Sequence, residues 1–159
     1  MNKQRLGTVS VGGTFDVMHK GHWVLLKEAF VVGDRVVIGL TTDEFAMRLK
    51  KPHEIDCFEK RFNDLKKFLK ERGYENRSLI VPLKDPYGPT ICDEEIEGII
   101  VSEETEPGAE RINQIRNGKG LKPLLIIVLK MILADDGKPI SSTRIRRQEV
   151  DKFGHLIDR

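Results

Sequence analysis

The sequence predicts an α/β domain in which a five-stranded parallel sheet is wound in both directions, with helices on both faces. Three observations carry that expectation. Five short, apolar, largely β-branched runs recur along the chain, each of strand length and fit for burial on both sides. Stretches with apolar residues three and four apart lie between them. Paired histidines, a proline-rich loop and a serine–threonine run stand just beyond the apolar runs, the edge at which such sheets bind ligands.

The elements follow in order. Val9 to Val11 forms the first strand, ended by Gly12-Gly13. From His22 to Phe30 the stripe Trp23, Leu26, Phe30 marks a helix that Gly33 stops. Val36 to Leu40 is the second strand. Asp43 caps a short helix that ends near Lys50-Lys51-Pro52, where proline discourages continuation. Cys57 to Arg72 is amphipathic through Phe58, Arg61, Phe62, Leu65, Phe68 and Leu69, and Gly73 stops it. "SLIVPL" is the third strand and "DPYGPT" a rigid turn; "GIIVS" is the fourth strand, followed by a helix from Pro107 to Asn117. "LLIIVL" is the fifth strand, "DDGKP" a turn, and Ser141 opens a last helix through "STRIRRQEV". No internal repeat or linker interrupts residues 1–159, so one Rossmann-like domain is expected.

Bulk properties narrow the function. Charged residues make up 33% of the chain, yet the net charge is only +2, which argues against a nucleic-acid partner. No apolar run approaches the roughly 20 residues of a membrane span, and no leader pattern precedes the first strand, so a cytosolic protein is expected. Cys57 and Cys92 lack metal spacing and read as idle or buried thiols.

The glycines after the first strand let backbone amides approach a ligand, and the next helix start offers N–H groups and a positive dipole end. His19 and His22 sit at that start with Gly21 between them, where its missing side chain leaves room for a base or phosphate. Imidazoles donate to phosphate oxygens. Zinc would need further ligands that no Cys, Asp or Glu motif supplies, so no metal site is expected. "ISSTRIRR" is either an N-cap with surface arginines or a second phosphate clamp of hydroxyls, amides and arginine. Two phosphate-binding ends without a Walker lysine motif point to nucleotidyl transfer, with magnesium riding on the triphosphate.

"GGTFDVMHKGH" resembles the G-T-F-D…H-x-G-H signature of the nucleotidyltransferase superfamily, and "ISSTRIR" resembles its second signature. With "DPYGPT", "IIVSEET" and "DDGKPISSTRIRR", the chain from Val9 to Glu149 is similar to the archaeal branch of the phosphopantetheine adenylyltransferases, itself similar to a domain of eukaryotic coenzyme A synthase. The resemblance implies that ATP and 4′-phosphopantetheine give dephospho-coenzyme A and pyrophosphate. On matching positions it implies Gly13, Thr14, Phe15, His19, Gly21 and His22 at the ATP, with Thr14 also on the acceptor phosphate and His22 stabilising the transition state. Ser141, Ser142, Thr143 and Arg144 would hold the β and γ phosphates. Lys50 matches a catalytic, substrate-binding lysine, with Lys51 the alternative. Tyr87 either packs on the pantetheine arm or braces its turn.

One departure stands out. Bacterial members carry R-G-L-R after the fourth strand, where this chain reads Val101 to Thr105 without arginine, so replacement charge is sought at Arg111, Arg116 or Lys119. The rivals are a sister activity (a cytidylyltransferase, an NMN adenylyltransferase or an FAD synthetase) and a non-catalytic nucleotide sensor. Oligomeric state is not written in the sequence.

Overall fold

A computed structural model describes residues 5–49 and 54–158. Its elements run β1 (Leu6–Gly13), α1 (Lys20–Val32), β2 (Gly33–Thr41), α2 (Asp43–Arg48), α3 (Phe58–Glu71), β3 (Ser78–Leu83), β4 (Ile96–Ser102), α4 (Glu106–Gly118), β5 (Leu125–Leu129) and α5 (Ser142–Arg146), with 3-10 turns at Glu75–Arg77 and Gly88–Ile91. All five strands are parallel, in the order β3-β2-β1-β4-β5. The chain therefore steps outward from β1 to β3, returns past β1, and steps the other way. Right-handed crossovers then place α1 and α3 on one face and α4 on the other. The direction reverses beside β1, so a crevice opens at the carboxyl ends of β1 and its neighbours.

Two-residue alternation divides the core between the faces. Val9, Val11, Val36, Ile38, Leu40 and Ile100 meet Leu26 and Phe30 of α1 and Leu65, Phe68 and Leu69 of α3. Ile99 and Val101, pointing the other way, pack on Ala109 and Ile112 of α4. A third, small cluster of Ala134, Ile140 and Val150 holds the segment after β5 together. That segment docks on the start of α1, where the Lys20 N–H donates to the Lys152 carbonyl at 2.9 Å and Trp23 meets Phe153 edge-on. No helix among the described residues is long and apolar enough to cross a membrane.

The elements agree with the sequence reading in order and kind; α2 is capped by Thr42 where Asp43 was expected, and two of the boundaries that differ have a clear cause. β1 runs through Gly12-Gly13 instead of breaking there, because both residues pair in register with Gly39 and Leu40 of β2. The last helix stops at Arg146, well short of the expected end. Arg147 caps it, Gln148 takes a left-handed φ of 59°, and Val150, with no exposure, is drawn into the third cluster and bridged to Leu156. Burial of one valine outweighs continued helical periodicity.

The sequence pattern placed Arg61 on the apolar stripe of α3, and the structure buries it completely. Its Nε donates to the Asp56 carbonyl at 2.7 Å. Its Nη1 donates to the carbonyls of Thr14 at 3.0 Å and Thr41 at 2.8 Å, and to the Thr41 hydroxyl at 3.2 Å. Its Nη2 pairs with Asp43 at 3.0 Å, whose same oxygen accepts the Phe58 N–H at the start of α3. One guanidinium thus fixes the chain as it leaves β1, leaves β2 and enters α3. Arg61→Met keeps the apolar stem and strips every donor, leaving several inward carbonyls unmet. The expected loss is about 3 kcal/mol or more of unfolding free energy in a urea titration. A loss below about 1 kcal/mol would mean that water serves those carbonyls equally well.

Candidate active site

α1 begins two residues before the expected position, and the two histidines are the reason. His19 is its N-cap and His22 its third residue, arranged as a reciprocal capping box. The His19 Nδ1 accepts from the Gly21 N–H at 3.1 Å, and the His22 Nδ1 accepts from the His19 N–H at 3.3 Å. The rings stack with centroids 3.8 Å apart, and Phe15 lies 5.3 Å from His22. Because both Nδ1 atoms accept, each neutral ring carries its proton on Nε2. The cap thereby sets two imidazoles in one tautomer, side by side, as Nε2–H donors.

This revises two expectations. Helix amides were expected to face the ligand, but the Lys20 N–H donates to the Lys152 carbonyl and the Gly21 N–H to the His19 Nδ1. The room expected beside Gly21 is taken on its β-carbon side by the His19 ring. A β-carbon on Gly21 would lie 2.9 Å from the His19 ring, so glycine is what lets that ring fold back over the helix start.

Before the helix the chain turns through Phe15 and Val17, both with left-handed φ near 50°, a conformation that costs energy for a β-branched valine. Between them Asp16 is 2% exposed. Its carboxylate takes a two-pronged hydrogen bond from Arg146, Nε to Oδ2 at 3.0 Å and Nη2 to Oδ1 at 2.9 Å. Asp56 joins through its N–H, 3.0 Å from Asp16 Oδ1, and through its carboxylate, 3.2 Å from Arg146. The two sequence signatures are therefore bonded to each other directly. Sequence reasoning gave Asp16 and Asp56 no role. The only signal for Asp16 was its place inside the first signature, and Asp56 had none.

At the second signature the Ser141 hydroxyl accepts the Arg144 N–H at 3.1 Å and caps α5, while Ser142 and Thr143 are half-buried in its first turn. Arg144 turns away from the first signature. It pairs with Asp136, donates to the carbonyls of Lys138 and Pro139, and stands 3.7 Å from Glu149, bracing the "DDGKP" turn. The arginine facing the first signature is Arg146. Arg116, sought as replacement charge, is buried and donates to the carbonyls of Lys122, Thr90 and Asp93. Arg111 and Lys119 are exposed on and just after α4, and Arg111 bonds Gln114. Lys50 and Lys51 lie outside the described residues.

On the α4 face, under the "DPYGPT" loop, a slot is floored by Ser10, Gly12 and Gly39 and roofed by Tyr87 and Pro89. Leu83 seats against three glycines: β-carbons at Gly12, Gly39 and Gly88 would fall 3.2, 2.6 and 2.4 Å from its side chain. Asp85 holds the loop by accepting the N–H groups of Tyr87 at 2.8 Å and Gly88 at 2.9 Å, bonds that keep its carboxyl below the usual carboxylate range. Thr14, Phe15, His19 and His22 and the Ser141 cap gather around the Asp16–Arg146 bond. Tyr87 roofs the slot on the far face of the sheet. Cys57 and Cys92, read as idle or buried thiols, are free and exposed. Among the described residues, no three His, Cys, Asp or Glu side chains are grouped to hold a metal ion.

Comparison with known proteins shows the family. The family described as cytidylyltransferase-like matches residues 10–148. A phosphopantetheine adenylyltransferase of Methanothermobacter thermautotrophicus is 49% identical over 157 residues, covering 99% of this chain and 93% of its own. One from Pyrococcus furiosus is 43% identical, covering 99% and 98%. Among solved structures, a protein of unknown function from Archaeoglobus fulgidus superposes with a TM-score of 0.69 at 33% identity, over 77% of this chain and 88% of that one. A pantoate–β-alanine ligase from Francisella tularensis, at 14% identity and a TM-score of 0.57 over 92% and 67%, shares the fold alone.

The cap has a pH signature. Burial pushes the His19 imidazole down to about 4 from an ordinary 6.5. The folded state then binds its proton less readily than the unfolded chain. The stability from neutral His19 is complete above pH 6.5 and drains away as pH falls toward 4. Between pH 7 and pH 5 the His19 contribution should fall by about 2 kcal/mol, measured as the difference in urea stability between the wild type and His19→Asn. Asparagine can still accept the Gly21 N–H but does not titrate, so parallel pH curves for the two proteins would refute the assignment.

Proposed function

The chain belongs to the cytidylyltransferase-like family, and from that membership, with its archaeal relatives, we infer the reaction: AMP passes from ATP to 4′-phosphopantetheine, giving dephospho-coenzyme A and pyrophosphate in coenzyme A biosynthesis. The observation that carries this is end-to-end similarity, 49% identity over 157 residues, with both signatures intact. The enzyme is a nucleotidyltransferase, and we place it in the cytosol.

The mechanism we propose needs little covalent chemistry from the protein. The acceptor phosphate, with a second pKa of about 6, is already largely ionised near neutral pH and requires no general base. One of its oxygens bonds to the α-phosphorus of ATP as the bond from that phosphorus to the β-bridging oxygen breaks, and pyrophosphate leaves with the electron pair. Catalysis then consists of alignment and of donors aimed at the charge on the equatorial oxygens. The preset Nε2–H of His22 is the donor for the α-phosphate, with His19 beside it for binding. Gly13, Thr14 and Phe15 line the nucleotide, with Thr14 also at the acceptor phosphate, and Ser141, Ser142 and Thr143 take the β and γ phosphates. Lys50 is proposed for the reacting phosphates. The acceptor's flexible arm is proposed to lie against the Tyr87 loop, at the mouth of the mainly apolar slot beneath it. Magnesium enters with ATP as part of the substrate.

The test is pyrophosphate release from ATP with and without 4′-phosphopantetheine, CTP, NMN and FMN serving as swaps. Release that requires both ATP and 4′-phosphopantetheine supports the reading, release only with another pair moves the chain to a sister activity, and no release with any pair favours a sensor. Two variants separate the functions of His22. His22→Asn retains an acceptor where Nδ1 stood, so the cap survives, but loses the Nε2–H. Its kcat should drop about 100-fold or more with an unchanged melting temperature. His22→Gln keeps a donor near Nε2 and should retain more turnover with a weaker cap. Wild-type kcat in His22→Asn would remove His22 from the chemistry.

A further inference from the structure

α2 is six residues long, too short to hold itself together, and both of its ends are tied to the chain leaving β3. At its start the Thr42 N–H donates to the Leu83 carbonyl at 2.9 Å, the last bond before the β2–β3 ladder ends. At its finish the Arg48 Nη2 donates to the Lys84 carbonyl at 2.7 Å, with the guanidinium 5.7 Å from the Phe45 ring centroid. Arg48 also bears electrostatically on Asp85, the residue whose carboxylate folds the Tyr87 loop. Arg48 thus continues the attachment past the point where strand pairing stops, one residue before the turn that roofs the slot.

We propose that Arg48 is a positioning residue for the acceptor, acting through the Lys84 carbonyl and Asp85 to set the height of Tyr87 over the slot. The inference rests on the acceptor reading above. An idle surface arginine would extend into water, since the side chain loses much rotamer freedom when held. Here a charged donor is spent on one backbone carbonyl of a loop with no ladder partner. That carbonyl is exposed, so water can replace the donor and folding does not depend on it. What changes without Arg48 is the range of positions open to Lys84–Tyr87, and hence acceptor binding rather than nucleotide binding.

The experiment compares Arg48→Ala, Arg48→Lys and wild type by steady-state pyrophosphate release, varying ATP and 4′-phosphopantetheine separately, with melting temperatures alongside. Arg48→Ala should raise KM for 4′-phosphopantetheine about tenfold, of the size expected for one charge-assisted hydrogen bond, and leave KM for ATP within about twofold. Arg48→Lys keeps a charged donor and should recover part of the loss. If wild type uses 4′-phosphopantetheine but Arg48→Ala leaves its KM unchanged, or raises both KM values alike, the inference is wrong and the function stands. If wild type is inactive with that acceptor, the functional reading fails and the inference falls with it.

Discussion

The site hangs on one guanidinium. Strands deliver their carboxyl ends to the crevice, but strand pairing says nothing about where the chain goes next. Arg61 supplies that information by donating to Thr14 beyond β1, to Thr41 at the end of β2 and to Asp56 before α3. A buried cation needs its charge met, and Asp43 meets it from one side while carbonyl dipoles do so from the others. The same residue draws in Asp56, whose N–H and carboxylate then support Asp16 and Arg146. The polar frame beneath the two signatures is continuous from the core of α3 to the last helix.

On that frame the two histidines solve a problem of orientation. An imidazole has two nitrogens and can flip, so a donor useful to a phosphate must first be told which nitrogen carries the proton. Here the helix start does the telling, because each Nδ1 is occupied by a backbone N–H. Gly21 makes the geometry possible and the left-handed turn at Phe15 and Val17 brings the ring of Phe15 against His22. Local structure occupies Nδ1 of each ring, and the donor role proposed above falls to Nε2 of the same rings.

The sequence disclosed the strands, the order of elements and the places where ligand-facing residues cluster, because those follow from local periodicity and from signals such as Gly73 and Pro107. It misjudged what individual polar residues do. Arg61 stands on the apolar stripe of its helix and Arg116 was sought as charge for the site, and only the packed fold reveals carbonyls from distant loops converging on both. Arg144 and Arg146 are two apart on a short helix and so point to different sides, and only the packed fold shows that Arg146 meets Asp16 while Arg144 meets Asp136. Gly12 and Gly21 read as openings for a ligand, whereas Leu83 and His19 occupy the space. A missing side chain shows that something comes close, and does not say what.

The bond between Asp16 and Arg146 joins residues 130 positions apart. During synthesis the histidines, the glycines and the first two strands are made well before Arg146, which follows Asp16 by 130 positions. Contacts of such long sequence separation close late, after their loop entropy has been offset by other packing. A nascent or truncated chain can therefore hold most of the sheet and still lack the frame of its site. Without the bond between Asp16 and Arg146 the first glycine–histidine loop and the last helix are not joined, so a partly folded chain holds the strands and lacks the frame between them.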